Sequence, residues 1–322
     1  MKLAIGERNQ AGDVGGYTVE LVALNDDQDP ESATQRAREM AVDPDIVGII
    51  GHFGEETTVA ALSVYDEAGL ALLVPATTAS VVTSGGHNQT YRLVADDGAI
   101  GVAAARYAVL ERPSSKVAVV GGAVGLVDSF VSTARQLGAE VFVHQDQERE
   151  VLVSELSTED PDILFFAGEG IEGAELVLAL RGVGQGSSIL GANGLDTPHY
   201  VQIAGEAAEG TVYVSMAPPL LDARFSRAYE ESSGAIPGPY AVLSYDAAGL
   251  LLDALESCIA LEGKPSRSCV ASALAGTSGY KGLTGTISFD EWGQATDREV
   301  YFYEIVGGRY PGQFRSCPVC SQ

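Results

Sequence analysis

The chain has 322 residues, 46% of them hydrophobic, with 44 acidic against 19 basic side chains and a formal net charge of −25. A surplus of that size repels phosphate backbones and anionic lipid, which excludes nucleic acid as a partner, and no apolar run approaches the ~18 residues that a spanning helix needs. At roughly 150 residues per domain, the length fits two compact domains.

Strand character, β-branched and apolar, recurs along the chain at Thr18–Leu24, Ile46–Gly51, Leu70–Pro75, Val117–Gly121, Glu140–His144, Asp162–Gly168, Ser187–Gly191 and Thr211–Ser215. Helix candidates alternate with them at Pro30–Val42, Glu55–Ala68, Gly98–Leu110, Asp128–Leu137, Glu172–Arg181, Pro198–Ala207, Asp222–Ser232 and Tyr240–Ala260. Asp29-Pro30 and Asp196-Thr197-Pro198 each place a capping acid ahead of a proline suited to a first helical turn. The alternation predicts an α/β chain with parallel, doubly wound sheets. Small, proline and acidic residues collect at Val94–Gly98, Ala217–Pro219 and Gly282–Gly285, and these read as three hinge crossings between two lobes. The first lobe then takes residues 1–95 and 217–283, the second 96–216 and 284–322, with ligand binding in the cleft between them.

The cysteines form two close pairs. Cys258 and Cys269 would close a loop of about 12 residues, and a bridge there is expected to add ~3 kcal/mol by restricting the unfolded chain. Cys317 and Cys320 have the Cys-x-x-Cys spacing of a redox or zinc site but no second pair and no nearby histidine, so a terminal disulfide or frayed tail is expected. No basic-then-apolar export signal opens the chain; one would lie upstream or have been removed.

An enzyme needs a nucleophile, base or metal set, and none converges. His52, His87, His144 and His199 form no His-Glu-x-x-His, no Gly-x-Ser-x-Gly is present, and each histidine reads as a loop or surface residue. The rival reading is dinucleotide binding of a dehydrogenase type, since Val117–Val120 leads into Gly121-Gly122-Ala123-Val124-Gly125 and Asp146 follows the next strand. Gly122 and Gly125 have the fingerprint spacing, but Val120 holds the place of its first glycine. The expectation is therefore no catalysis and no cofactor.

Ile49-Ile50-Gly51-His52-Phe53-Gly54 and Tyr65-Asp66-Glu67-Ala68-Gly69-Leu70-Ala71-Leu72-Leu73-Val74-Pro75-Ala76-Thr77-Thr78 resemble the periplasmic leucine/isoleucine/valine-binding proteins. Gly194–Pro198, Ala204–Gly210, Pro239–Ala247 and Gly285–Asp290 continue the resemblance in the family's order, over nearly the whole chain. It implies the type I periplasmic binding protein fold of two Rossmann-like lobes. It also implies a monomeric solute-binding protein, periplasmic or at the cell surface, that hands a small polar ligand to the permease of an ABC transporter. A sensing receptor module of the same fold is the alternative. In the family a strand and a glycine loop precede the first helix, and Met1–Arg8 resembles the middle of that helix, so this first-lobe strand is expected upstream of Met1.

The resemblance assigns Phe53, Gly54, Glu55, Ala76, Thr77 and Thr78 to the first-lobe face of the ligand site, with Tyr240 as an apolar or aromatic contact. Gly122, Glu169 and Asn193 take second-lobe positions. Three departures stand out. Glu55 replaces a serine that helps hold an amino acid's carboxylate; Asn193 replaces the acid that pairs with its ammonium; and Gly121–Gly125 lack the usual tyrosine. The expected ligand is an amine-bearing or neutral polar metabolite, with Asp196 serving as a structural helix cap.

Overall fold

A computed structural model describes residues 1–12, 14–112, 115–145, 147–296 and 298–316. Its strands are β1 (Ile49–Ile50), β2 (Leu72–Val74), β3 (Thr90–Arg92), β4 (Lys116–Val120), β5 (Glu140–His144), β6 (Ile163–Phe166), β7 (Ser188–Gly191), β8 (Val212–Ser215), β9 (Tyr280–Gly282), β10 (Gly285–Ile287), β11 (Tyr301–Glu304) and β12 (Gln313–Ser316). Its helices are α1 (Lys2–Gly12), α2 (Pro30–Val42), α3 (Glu55–Glu67), α4 (Val81–Ser84), α5 (Asp97–Arg106), α6 (Val124–Gln136), α7 (Arg149–Glu159), α8 (Gly170–Gly182), α9 (Pro198–Ala204), α10 (Ala223–Ser233), α11 (Pro239–Glu262) and α12 (Arg267–Ala275). The chain divides into two compact units, Met1–Ala95 with Ala217–Arg298, and Asp96–Met216 with Glu299 onward.

In the first unit β1, β2 and β3 form a parallel sheet, with Ile49 opposite Leu72 and Leu72 opposite Thr90. β1 and β2 are wholly apolar and nearly all buried, as a sheet covered on both faces requires, while β3, equally buried, carries Thr90 and Arg92. Leu62 and Tyr65 of α3 and Ala37 of α2 pack with Ile49, Leu72 and Val74. Asp29 caps α2 by accepting from Ser32 N–H, with Pro30 in the first turn. The Cys258 and Cys269 sulfurs are bonded, joining α11 to α12; Cys317 and Cys320 lie outside the described residues.

Two expectations change here. Thr18–Leu24 is not a strand: among the described residues it has no ladder partner, Val22 and Leu24 are exposed, and the Asn9 carboxamide takes both polar groups of Val19. Strand propensity does not make a strand without a neighbour to pair with. The third crossing also lies later than Gly282–Gly285, at Arg298, because residues 284–298 are tied to the first unit. β10 pairs with β9, Arg92 N–H donates to Gly293 O, and Ala295 N–H donates to Arg92 O, extending the sheet beyond β3. The Asp246 carboxylate, buried on α11, accepts from Leu283 N–H, Thr284 N–H and the Thr284 hydroxyl and fastens the β9–β10 turn.

The second unit holds one sheet in the order β12-β11-β8-β7-β6-β4-β5. The strands from β8 to β5 are parallel; β11 and β12 are antiparallel additions. Val119 and Phe165 point to one face, where Phe165 stacks on Phe130 of α6 at 4.1 Å, and Ala118, Leu164 and Ile189 pack against α8 and α9 on the other. Because β4 has β5 on one side and β6 on the other, the winding direction reverses between β4 and β6.

Candidate functional site

In parallel sheets of this kind the groups available to a ligand lie beyond the carboxyl ends of the strands, where loops run into helix N-termini. In the first unit two loops do this. One, Gly51–Gly54, leads from β1 into α3; Gly54 is the N-cap and has no side chain to cap the helix, and Glu55 is the first helical residue, exposed. The other, Pro75–Ser80, leaves β2 and enters α4.

The two loops are bonded to each other. Thr58 of α3 donates its hydroxyl to Gly54 O at 2.6 Å and lies 2.8 Å from the Thr77 hydroxyl, while Thr77 Oγ1 is 3.4 Å from the same carbonyl. Thr77 is buried and its hydroxyl is engaged in this contact; Thr78 is half-buried. Phe53 stands exposed and meets Tyr240, in the first turn of α11, edge-to-face at 5.2 Å. Phe53, Gly54, Glu55, Ala76, Thr77, Thr78 and Tyr240 are thus neighbours on one end of the first unit's sheet.

Residues that sequence reading passed over hold these loops. Arg92, buried at 1% exposure, donates to Thr78 O, Ala79 O, the Thr83 hydroxyl and Gln294 Oε1. An arginine inside the apolar run Tyr91–Ala95 was the available signal. His52 is not a surface residue: its ring is buried, with Nδ1 2.6 Å from Asp26 and Nε2 3.0 Å from the Tyr65 hydroxyl. His144 is buried likewise, between Glu155 and Glu159 of α7.

In the second unit Gly122, Glu169 and Asn193 sit on adjacent loops after β4, β6 and β7, held by close backbone approach. A Cβ on Gly122, where φ is +97°, would come 2.4 Å from the Ala167 Cβ, and one on Gly194 would come 2.3 Å from Gly168 O. Glu169 is the N-cap of α8, and its carboxyl is raised above its ordinary value by desolvation and by the neighbouring Glu172. Asn193 opens a short 3₁₀ turn and is half-buried. A cavity of about 740 Å³ opens beside Gly121 and Gly122 and reaches Glu148 and Glu172. Asp196 is not the cap of α9: Thr197 holds that place, and the Asp196 carboxyl is buried, accepts from the Tyr310 hydroxyl, and is pushed up to about 6 by desolvation. Asp146 lies outside the described residues.

A family profile described as periplasmic binding protein matches residues 1–309. The chain belongs to that family. The leucine-binding protein LivK of Thermotoga maritima superposes with a TM-score of 0.86 at 26% identity, over 98% of this chain and 92% of that one. An ABC transporter substrate-binding protein of Desulfitobacterium hafniense, solved with Leu, gives 0.84 at 25% identity, over 98% and 93%. The leucine-, isoleucine-, valine-, threonine- and alanine-binding protein of Pseudomonas aeruginosa is 24% identical over 320 residues, 94% of this chain and 83% of its own length. The fold is accordingly that of a type I periplasmic binding protein, and the relatives named here are amino-acid- and substrate-binding proteins.

Proposed function

We propose that this periplasmic binding protein captures a small amino-acid-like metabolite outside the cytoplasm and delivers it to the permease of an ABC transporter, making and breaking no bond in the ligand. One observation carries the reading: the loops after β1 and β2 are bonded side by side at the carboxyl ends of parallel strands, next to a glycine-capped helix N-terminus and the exposed Phe53–Tyr240 pair. Main-chain N–H groups and Thr78 suit an oxygen-rich ligand group, and the aromatic pair suits an apolar body. Gly122, Glu169 and Asn193 lie on the corresponding strand-end loops of the second unit. The Cys258–Cys269 bond supports an oxidising, extracytoplasmic setting.

Glu55 decides the ligand within this reading. A carboxylate on the first residue of α3 opposes a ligand carboxylate and favours an amine or hydroxyl groups. Calorimetry against branched-chain amino acids, their amides and amines, and polyols tests it. Glu55→Ser is expected to tighten leucine binding by about tenfold or more, the scale of one charge–charge contact near a protein surface. Tight leucine binding that Glu55→Ser leaves unchanged removes the Glu55 argument, and a wild-type chain that binds nothing in the panel removes the functional reading.

A further inference from the structure

The hydroxyls at Thr58 and Thr77 close a cluster on the Gly54 carbonyl. Gly54 O can only accept, and Thr58 reaches it at 2.6 Å while Thr77 reaches it at 3.4 Å, so the shorter bond takes the Thr58 proton. Thr58 Oγ1 then accepts from Thr77 at 2.8 Å. Both threonines are at least 97% buried, and no proton of either is left for a ligand. Gly54 O also receives Thr58 N–H at 3.1 Å and the Thr57 hydroxyl at 3.1 Å, so the carbonyl immediately ahead of α3 is held from several sides.

We propose that Thr58 is a positioning residue for ligand binding: its hydroxyl, donating to Gly54 O and accepting from Thr77, locks the Phe53–Glu55 loop to the Ala76–Thr78 loop in the spacing that binds ligand. The proposal rests on the reading above that these loops hold the ligand. Thr58 touches no ligand itself. It acts because the two loops come from different strand ends and these hydroxyls join them. Both bonds between the loops run through the Thr77 hydroxyl, so losing it removes both, whereas losing the Thr58 hydroxyl removes the shorter of them and a donor to Gly54 while leaving the 3.4 Å approach of Thr77 to Gly54 O.

The test compares Thr58→Val, Thr58→Ser, Thr77→Val and a control, Tyr91→Phe, which removes a buried hydrogen bond to Ala271 O elsewhere in the same unit. L-leucine affinity is read by calorimetry, and amide hydrogen exchange of residues 53–56 and 76–79 is read in ligand-free protein. Thr77→Val is expected to weaken leucine binding and speed local exchange by about tenfold, Thr58→Val by about fivefold, and Thr58→Ser by less than about threefold, from the usual size of one buried hydrogen bond. Tyr91→Phe is expected to lower the melting temperature without moving either readout. The proposal is overturned if Thr58→Val changes neither readout beyond the control, if it speeds exchange but leaves affinity intact, or if Thr58→Ser is as damaging as Thr58→Val. If wild-type protein binds no leucine, affinity is read with leucinamide, and unchanged exchange in Thr58→Val still sinks the latch. Should Thr58→Val not fold, Thr77→Val decides: unchanged exchange and affinity there overturn the proposal.

Discussion

The two units solve one problem in different ways. Both must hold several strand-end loops at fixed spacing, and in the first unit side chains do it: Thr58, Thr77, Arg92 and His52 bond the loops through hydroxyls, a guanidinium and an imidazole. In the second unit glycines do it, with Gly122 set against the Ala167 side chain and Gly194 against the Gly168 carbonyl, too close for any side chain of their own. A side-chain latch can be released by removing one polar atom, while a glycine contact can be broken only by adding volume. The first unit's loops therefore tolerate extra carbon and not lost donors, and the second unit's the reverse.

The largest expected effect is at Arg92. Arg92→Met keeps the length of the side chain but leaves Thr78 O, Ala79 O, the Thr83 hydroxyl and Gln294 without its donors inside the first unit. Destabilisation of about 3–5 kcal/mol is expected in urea unfolding, the range for disrupting a buried charged network. Next comes the glycine contrast. Gly194→Ala puts a methyl 2.3 Å from a carbonyl oxygen and is expected to cost about 2–3 kcal/mol, whereas Gly54→Ala, whose φ is −82° and whose nearest neighbour is the movable Thr57 hydroxyl at 3.0 Å, costs less than about 1 kcal/mol. Equal losses at the two positions would end the distinction.

Asp196 sharpens the comparison from the other side, as a buried acid in the unit held by glycine contacts. Its carboxyl titrates near 6 in the folded protein against an ordinary 3.8, so between those values the native state holds a proton that the unfolded chain has lost. Stability from this group is therefore greatest below about pH 4 and falls as pH rises to 6, by on the order of 2–3 kcal/mol. Melting curves from pH 4 to 7 are expected to show that slope in the wild type and its reduction in Asp196→Asn. The smallest effect is at Asn9, whose carboxamide bonds Val19 in both directions at 2.9 and 3.1 Å. Asn9→Ala is expected to cost about 1–2 kcal/mol and to speed exchange at Val19, because that residue has no ladder partner among the described residues.

Much of the fold was legible because buried parallel strands are written as apolar runs: β5 to β8 fall on or inside the expected segments, β4 begins one residue early, and Asp29-Pro30 starts α2 where capping chemistry requires. Thr18–Leu24 was not, since a run of Val, Leu and Thr states a preference and pairing is a property of neighbours. β3 was missed because Thr90-Tyr91-Arg92 ends on a charge, and only the structure shows that charge buried among carbonyls. α7 was missed because its apolar positions are few and its face carries acids. At the site, the loop positions followed from the resemblance, whereas the commitment of the Thr77 proton and the burial of Asp196 depend on groups 19 and 114 residues away in sequence.

Gln294 has a temporal meaning. It meets Arg92 across 202 residues, and the whole second unit up to Met216 is made in between. At roughly 5–20 residues per second a ribosome needs about 10–40 s to span that interval. The N-terminal stretch of the first unit emerges early yet waits for the return of the chain, while β4 to β8 of the second unit come from consecutive segments and only β11 and β12 follow Arg298. The half that carries the hydroxyl latch thus stays open until Gln294 is made, and a chaperone or an export channel would meet it with Arg92 still lacking that partner.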